Sequence, residues 1–199
     1  AKFSFGDYYK KEVIPFAWEF LTNHLGIPIE RLSVSVHHKD HEAYAIWNKD
    51  IGIPESKITK LDDADNFWAA GETGPCGFCS EIYYDMGLAY GNGDPNEKLG
   101  EDENSNRFLE VWNHVFMEFN RKEDGSLEQL PAKNIDTGMG LVRITSVIQN
   151  VASNFDIDSF KTILAEIENL SGKKYGEDKD RDIFFKIIAD HIRATTYLI

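Results

Sequence analysis

The stretch RFLEVWNHVFMEFNR, residues 107–121, decides the fold. Leu109, Val111, Asn113, Val115, Met117 and Phe119 occupy one set of alternate positions, and Phe108, Glu110, Trp112, His114, Phe116 and Glu118 the other. Branched and aromatic residues at this period mark a strand. Asp124-Gly125 follows, a strong tight-turn signal, and LEQL at 127–130 can return as the paired strand. The segment therefore predicts an antiparallel hairpin.

Downstream, Leu141, Ile144, Ile148 and Val151 fall at helical spacing. A second helix is expected over 157–170, with Asp156 or Asp158 as cap, Phe160, Ile163, Leu164 and Ile167 on one face, and Gly172 after its end. A third starts near Asp180. Upstream, residues 7–24 read as a helix capped by Asp7, with Phe16 and Phe20 near one face, Gly26 as stop and Pro15 as a kink. In RLSVSVH, Leu32, Val34 and Val36 alternate with Arg31, Ser33 and Ser35, the pattern of a strand. Residues 41–50 predict a short helix capped by Asp40. Residues 86–107, rich in Gly, Asn and acids, predict a long surface loop. Antiparallel pairing followed by helices gives an α+β fold, an antiparallel sheet flanked by helices.

Composition narrows the function. Hydrophobic residues make up 42% and aromatics 13% of the 199 residues, enough for a folded core. The net charge of -13 repels phosphate and argues against a dedicated nucleic-acid binder. Cys76 and Cys79 are the only two cysteines, so a disulfide framework is excluded and a reducing, cytoplasmic compartment is expected. No apolar run approaches the length of a membrane span. The chain opens on Phe3 and Phe5 without a Met and stops at TTYLI inside an apolar pattern, so a piece of a longer protein is expected.

Chemistry concentrates in NIDTGMGLVR, residues 134–143. Gly138 and Gly140 precede a helix, and glycine lets backbone approach a ligand while a helix N-terminus attracts phosphate. Arg143 sits in the first helical turn, where the helix dipole disfavours a cation, so it answers to a ligand or a carboxylate. Asp136 can hold an ammonium group. The plain alternative is a strand-to-helix turn with a surface arginine. Asn113 interrupts an apolar strand face and needs partners, either backbone or a polar pocket. Trp112 reads as core or lid. GETGPCGFCSE, 71–81, reads as a tight loop. Its Cys76-x2-Cys79 pair supplies half a zinc site only if His37, His38 and His41 supply the rest, and no spacing links them as a known finger. Trp68, in NFW, can wall a small pocket or sit in the core.

Taken together, FSFGDYYK (3–10), DNFWAAGETGPCGFCSEI (65–82), EVWNHVFMEFNR (110–121), LPAKNIDTGMGLVRI (130–144) and ADHIRA (189–194) occur in the order seen in the alanyl-tRNA synthetases. The chain resembles that family of class II aminoacyl-tRNA synthetases over essentially its whole length. Each motif alone is weak; five in order are specific. The resemblance implies activation of alanine by ATP, with Mg²⁺, to alanyl-adenylate, then transfer to the 3′ end of tRNA(Ala). It implies a partial catalytic domain over 1–152 and the beginning of a helical tRNA-recognition region over 153–199. Asp136 matches the residue that holds the alanine ammonium, Gly138 the one against the small side chain, Trp68 an aromatic wall, Asn113 a polar substrate contact, and Arg143 the motif 3 arginine on ATP phosphate, beside Gly140. Glu110, on the strand beside the pocket, is a candidate for Mg²⁺. Motif 1 and the motif 2 arginine would lie upstream. The family's metal-binding Cys/His cluster belongs to a later editing region, so no metal ligand is assigned here. The family pattern GLER reads GLVR, placing Val142 where a carboxylate stands, and GDTGPCGPC reads GETGPCGFC, with Glu72 and Phe78. The competing expectation is a non-catalytic synthetase-like module that binds a ligand or partner.

Overall fold

The computed structural model describes residues 1–91 and 107–199. Most of the loop expected over 86–107 therefore lies outside the described residues. Its two ends are tied together: Met86 N–H donates to Arg107 O at 2.7 Å, and Arg107 grips Asp85 through Nε and Nη2, each at 2.8 Å. By its internal contacts the chain divides into two compact units, Ala1–Leu141 and Val142–Ile199.

The first unit is built on one seven-stranded sheet. Its strands are β1 (Lys2–Phe5), β2 (Leu32–His37), β3 (Ile58–Leu61), β4 (Phe67–Ala69), β5 (Gly74–Asp85), β6 (Phe108–Arg121) and β7 (Leu127–Met139). The order is β1-β7-β6-β5-β2-β3, with β4 beside β5. All pairs are antiparallel except β2 with β3. The expected hairpin is β6–β7, turning at Asp124-Gly125, where Gly125 adopts φ 80. Its return strand runs well past the expected LEQL. The register jumps between Met117↔Asn134 and Phe119↔Gln129. Pro131, which cannot donate to the ladder, falls in that unpaired stretch.

The first two helices cover one face of this sheet. α1 (Lys10–Glu19) contains Pro15 and continues into a widened turn, Phe20–His24. Its start is set by Glu12, whose carboxylate accepts from Tyr9 N–H at 3.0 Å, and not by Asp7 as expected. The bond lost at Pro15 is offset by burial of Val13, Ile14, Ala17 and Leu21. α2 (His41–Ala45) runs into a second widened turn, Ile46–Ile51, and Asp40 caps it as expected, accepting from Ala43 N–H at 3.0 Å. Lys10 Nζ meets the same Asp40 carboxylate at 2.7 Å, both side chains almost fully buried, and pins α1 to α2. Trp47 donates to Ser80 Oγ on β5 at 2.8 Å, and Phe20 meets Trp112 edge-on. β2 is the strand expected in RLSVSVH, and all six of its residues are buried. Its serine face is covered by α3 (Asp63–Asn66), where Asn66 Nδ2 donates to Ser35 Oγ at 3.0 Å.

On the helix-covered face His114 is fully buried. Its Nδ1–H donates to Ser80 O at 3.1 Å, which leaves Nε2 as a buried lone pair with no partner among the described residues. Burial depresses its pKa from 6.5 to about 4. A folded-state value below the unfolded one gives stability that is complete above pH 6.5 and lost as pH falls toward 4. A shift of that size corresponds to roughly 3 kcal/mol. The urea midpoint is expected to drop between pH 7 and 4.5, and His114→Gln to flatten that slope; equal slopes for both proteins would remove His114 as the cause.

The second unit holds α4 (Leu141–Ile148, entering from the boundary), α5 (Asp158–Ser171) and α6 (Lys179–Leu198). Ile157, Phe160, Leu164, Ile167, Phe185 and Ala189 form its core, with Val142 and Ile163 packed against it. Gly172, at φ 66, ends α5 as expected. The α4 stripe is only partly realised, because Ile144 is buried while Leu141 and Ile148 are exposed. α6 starts near Asp180 as expected, capped by Asp178, whereas Ile157, not Asp156 or Asp158, occupies the cap position of α5 and makes no side-chain bond.

Candidate active site

Residues directly opposite each other on antiparallel strands project to the same side. Ser35, Glu81, Asn113 and Gly138 are successive partners across β2, β5, β6 and β7. The next row joins Cys79, Val115, Asp136 and Phe3. A third joins Trp68, Gly77, Met117 and Asn134. With strands about 4.8 Å apart, Trp68, Asn113, Asp136 and Gly138 share one face, opposite the face under α1.

NIDTGMGLVR is therefore not a glycine turn throughout. β7 is paired with both β1 and β6 at Asp136 and with β6 at Gly138, and this keeps both residues in the strand. Only Gly140 lies beyond it, and its N–H is held by Val111 O at 3.0 Å. Arg143 stands in the first turn of α4, in the second unit.

The face is polar where it is open. Asp136 is half-buried, and its carboxylate has no hydrogen bond or ion pair among the described residues. Asn113 Oδ1 is buried without a partner. A Cβ built on Gly138 would meet nothing within 4 Å. A carboxylate, an amide and open space at Gly138 suit a ligand bearing an ammonium group. Trp112 belongs to the opposite face as core, its Nε1–H donating to Thr137 Oγ1 at 2.7 Å.

The expected tight loop around the cysteines is largely strand: Cys76 and Cys79 are free thiols on β5. Burial pushes the Cys79 thiol up to about 12. His37 stacks on Phe78 at 4.2 Å and meets Asp63 Oδ1 through Nε2 at 2.7 Å.

Sequence reading missed Glu81. Glu81 is buried, and its Oε2 accepts from Tyr83 Oη and, at 3.2 Å, from Ser35 Oγ. Burial first, then the charge of Glu110, hold its carboxyl up at about 6, against the bonds from Tyr83 and Ser35. Glu110 pairs with Tyr83 beyond a register shift in β6. The available signal was the spacing Cys79, Glu81, Tyr83 in CSEIYY, which is a strand alternation.

A twisted antiparallel sheet that carries an acid, an amide and an indole on its open face, flanked by helices, has the architecture of a class II aminoacyl-tRNA synthetase core. All 199 residues match the family of class II (A) tRNA synthetases, and the chain belongs to that family. Among curated proteins it is similar to alanine–tRNA ligases from Desulforamulus reducens and Desulfosudis oleivorans, each 51% identical over 197 residues, and from Acidithiobacillus ferridurans, 48% identical over 197. Each match covers 99% of this chain and 22% of the relative, so the chain spans about a fifth of the length of the curated relatives it matches.

Proposed function

We propose that this chain is part of an alanine–tRNA ligase, which activates alanine with ATP to alanyl-adenylate and transfers it to the 3′ end of tRNA(Ala). The observation that carries the reading is the Asp136 carboxylate, without a partner among the described residues, on the same sheet face as Asn113 and the open space at Gly138. An α-ammonium supplies the missing partner of Asp136, and a methyl group fits where Gly138 has no Cβ. Asn113 makes a further polar contact and Trp68 walls the pocket. Arg143, with Gly140 at the preceding turn, contacts ATP phosphate, since adenylate formation needs a cation on the developing pyrophosphate. Mg²⁺ takes one or two carboxylates together with phosphate oxygens and water, and Glu110 is the carboxylate offered. Its charge opposes that of Glu81.

In this reading residues 1–152 are the partial catalytic domain and 153–199 begin the tRNA-recognition helices. The compartment is cytoplasmic; among the described residues no helix is long and apolar enough to cross a membrane. A non-catalytic module draws no support from relatives that are themselves ligases. The test is ATP–pyrophosphate exchange by the full-length protein. Alanine is expected to drive it, and exchange driven by a different amino acid in preference to alanine would refute the reading.

A further inference from the structure

Glu81 is a buried carboxylate on the open face that the reading above does not use. It is anchored on one side only. Tyr83 Oη and Ser35 Oγ both donate to Oε2, and Ser35 Oγ accepts in turn from Asn66 Nδ2. That chain of bonds ties the carboxylate to α3, which leads directly into β4 and Trp68. Among the described residues nothing is bonded to Oε1. The neighbouring charges, Glu110 and Asp65, are both acidic and oppose it. A buried acid so placed is costly unless a donor takes its second oxygen.

The donor is one strand away. Asn113 is the direct partner of Glu81 across β5 and β6, where Cβ atoms stand about 5 Å apart. Asn113 Oδ1 is buried and without a partner. An amide beside a carboxylate has one favourable orientation, with Nδ2 toward the acid and Oδ1 away from it. We propose that Glu81 is a positioning residue of the amino-acid site, whose carboxylate accepts from Asn113 Nδ2 and so aims Oδ1 at the ammonium group of the bound amino acid. This rests on the proposed function and names how its polar contact is held.

The diagnostic variant is Glu81→Gln, which preserves size. Its carbonyl still accepts from Ser35 and Tyr83, so its NH₂ faces Asn113 and turns that amide around, presenting a donor to the ammonium. In the full-length protein the alanine KM of ATP–pyrophosphate exchange is expected to rise about tenfold or more, with the ATP KM within about twofold of wild type. Tyr83→Phe, which removes one anchor, is expected to move the alanine KM in the same direction by about two- to fivefold. Asn113→Asp added to Glu81→Gln restores an acceptor to both neighbours and is expected to recover alanine KM; a purely structural Glu81 gives no such recovery. An unchanged alanine KM in Glu81→Gln, or equal rises for alanine and ATP, overturns the inference alone. Absence of alanine-dependent exchange in the wild-type protein overturns the proposed function itself.

Discussion

Replacing Asp136 with alanine is expected to remove nearly all alanine-dependent ATP–pyrophosphate exchange in the full-length protein. The carboxylate sits on β7, a strand paired with both β1 and β6, so its position is fixed by two ladders and not by a mobile turn. Among the described residues it has no ion pair, so it is pre-set for a cation that the fold does not supply. Loss of a charge-assisted pair to an ammonium in a partly buried site costs roughly 3–4 kcal/mol, about 10²–10³-fold in kcat/KM for alanine. Asp136→Asn, which keeps shape and hydrogen bonding, is expected to fall between. Because the side chain holds nothing else in place, the urea midpoint should stay near wild type. Exchange at the wild-type level in Asp136→Ala would show that the ammonium binds elsewhere.

Most of the sheet was legible because alternation survives in a single strand. RFLEVWNHVFMEFNR and the Asp124-Gly125 turn carry their own period and their own chirality, and both appear as read. What failed depended on partners outside the local window. DTGMG looks like a glycine turn until β1 is known to pair with it from residues 2–5. Nothing local in RLSVSVH shows that Asn66, on α3, bonds the buried Ser35. Glu81 was invisible because GETGPCGFCSE reads as a loop, whereas tertiary pairing with β4 and β6 draws it into a strand. Val142 is the instructive departure. A carboxylate stands there in the family pattern, and here the valine packs against the core of the second unit.

The two glycines that share the open face are expected to answer oppositely to the same added methyl. At Gly77 a Cβ would lie 1.9 Å from Phe116 O, 2.8 Å from Phe116 C and 3.1 Å from Met117 Cα. These are backbone atoms of β6, and Phe116 is fully buried against Tyr9 and Lys10, so the strand has nowhere to retreat. The β5–β6 ladder must open instead. Gly77→Ala is expected to cost about 3 kcal/mol or more, read as a fall in urea midpoint or as loss of soluble protein. Trp68 is paired with Gly77 through β4, so any folded fraction should also bind alanine poorly. At Gly138 the space in front is open and the backbone is extended, so Gly138→Ala should leave the unfolding free energy within about 0.5 kcal/mol of wild type. Its methyl occupies the volume assigned to the substrate side chain, and the alanine KM should rise while the ATP KM holds. The contrast separates a glycine required by close strand approach from one required by the ligand, and equal destabilisation at both positions would refute that division.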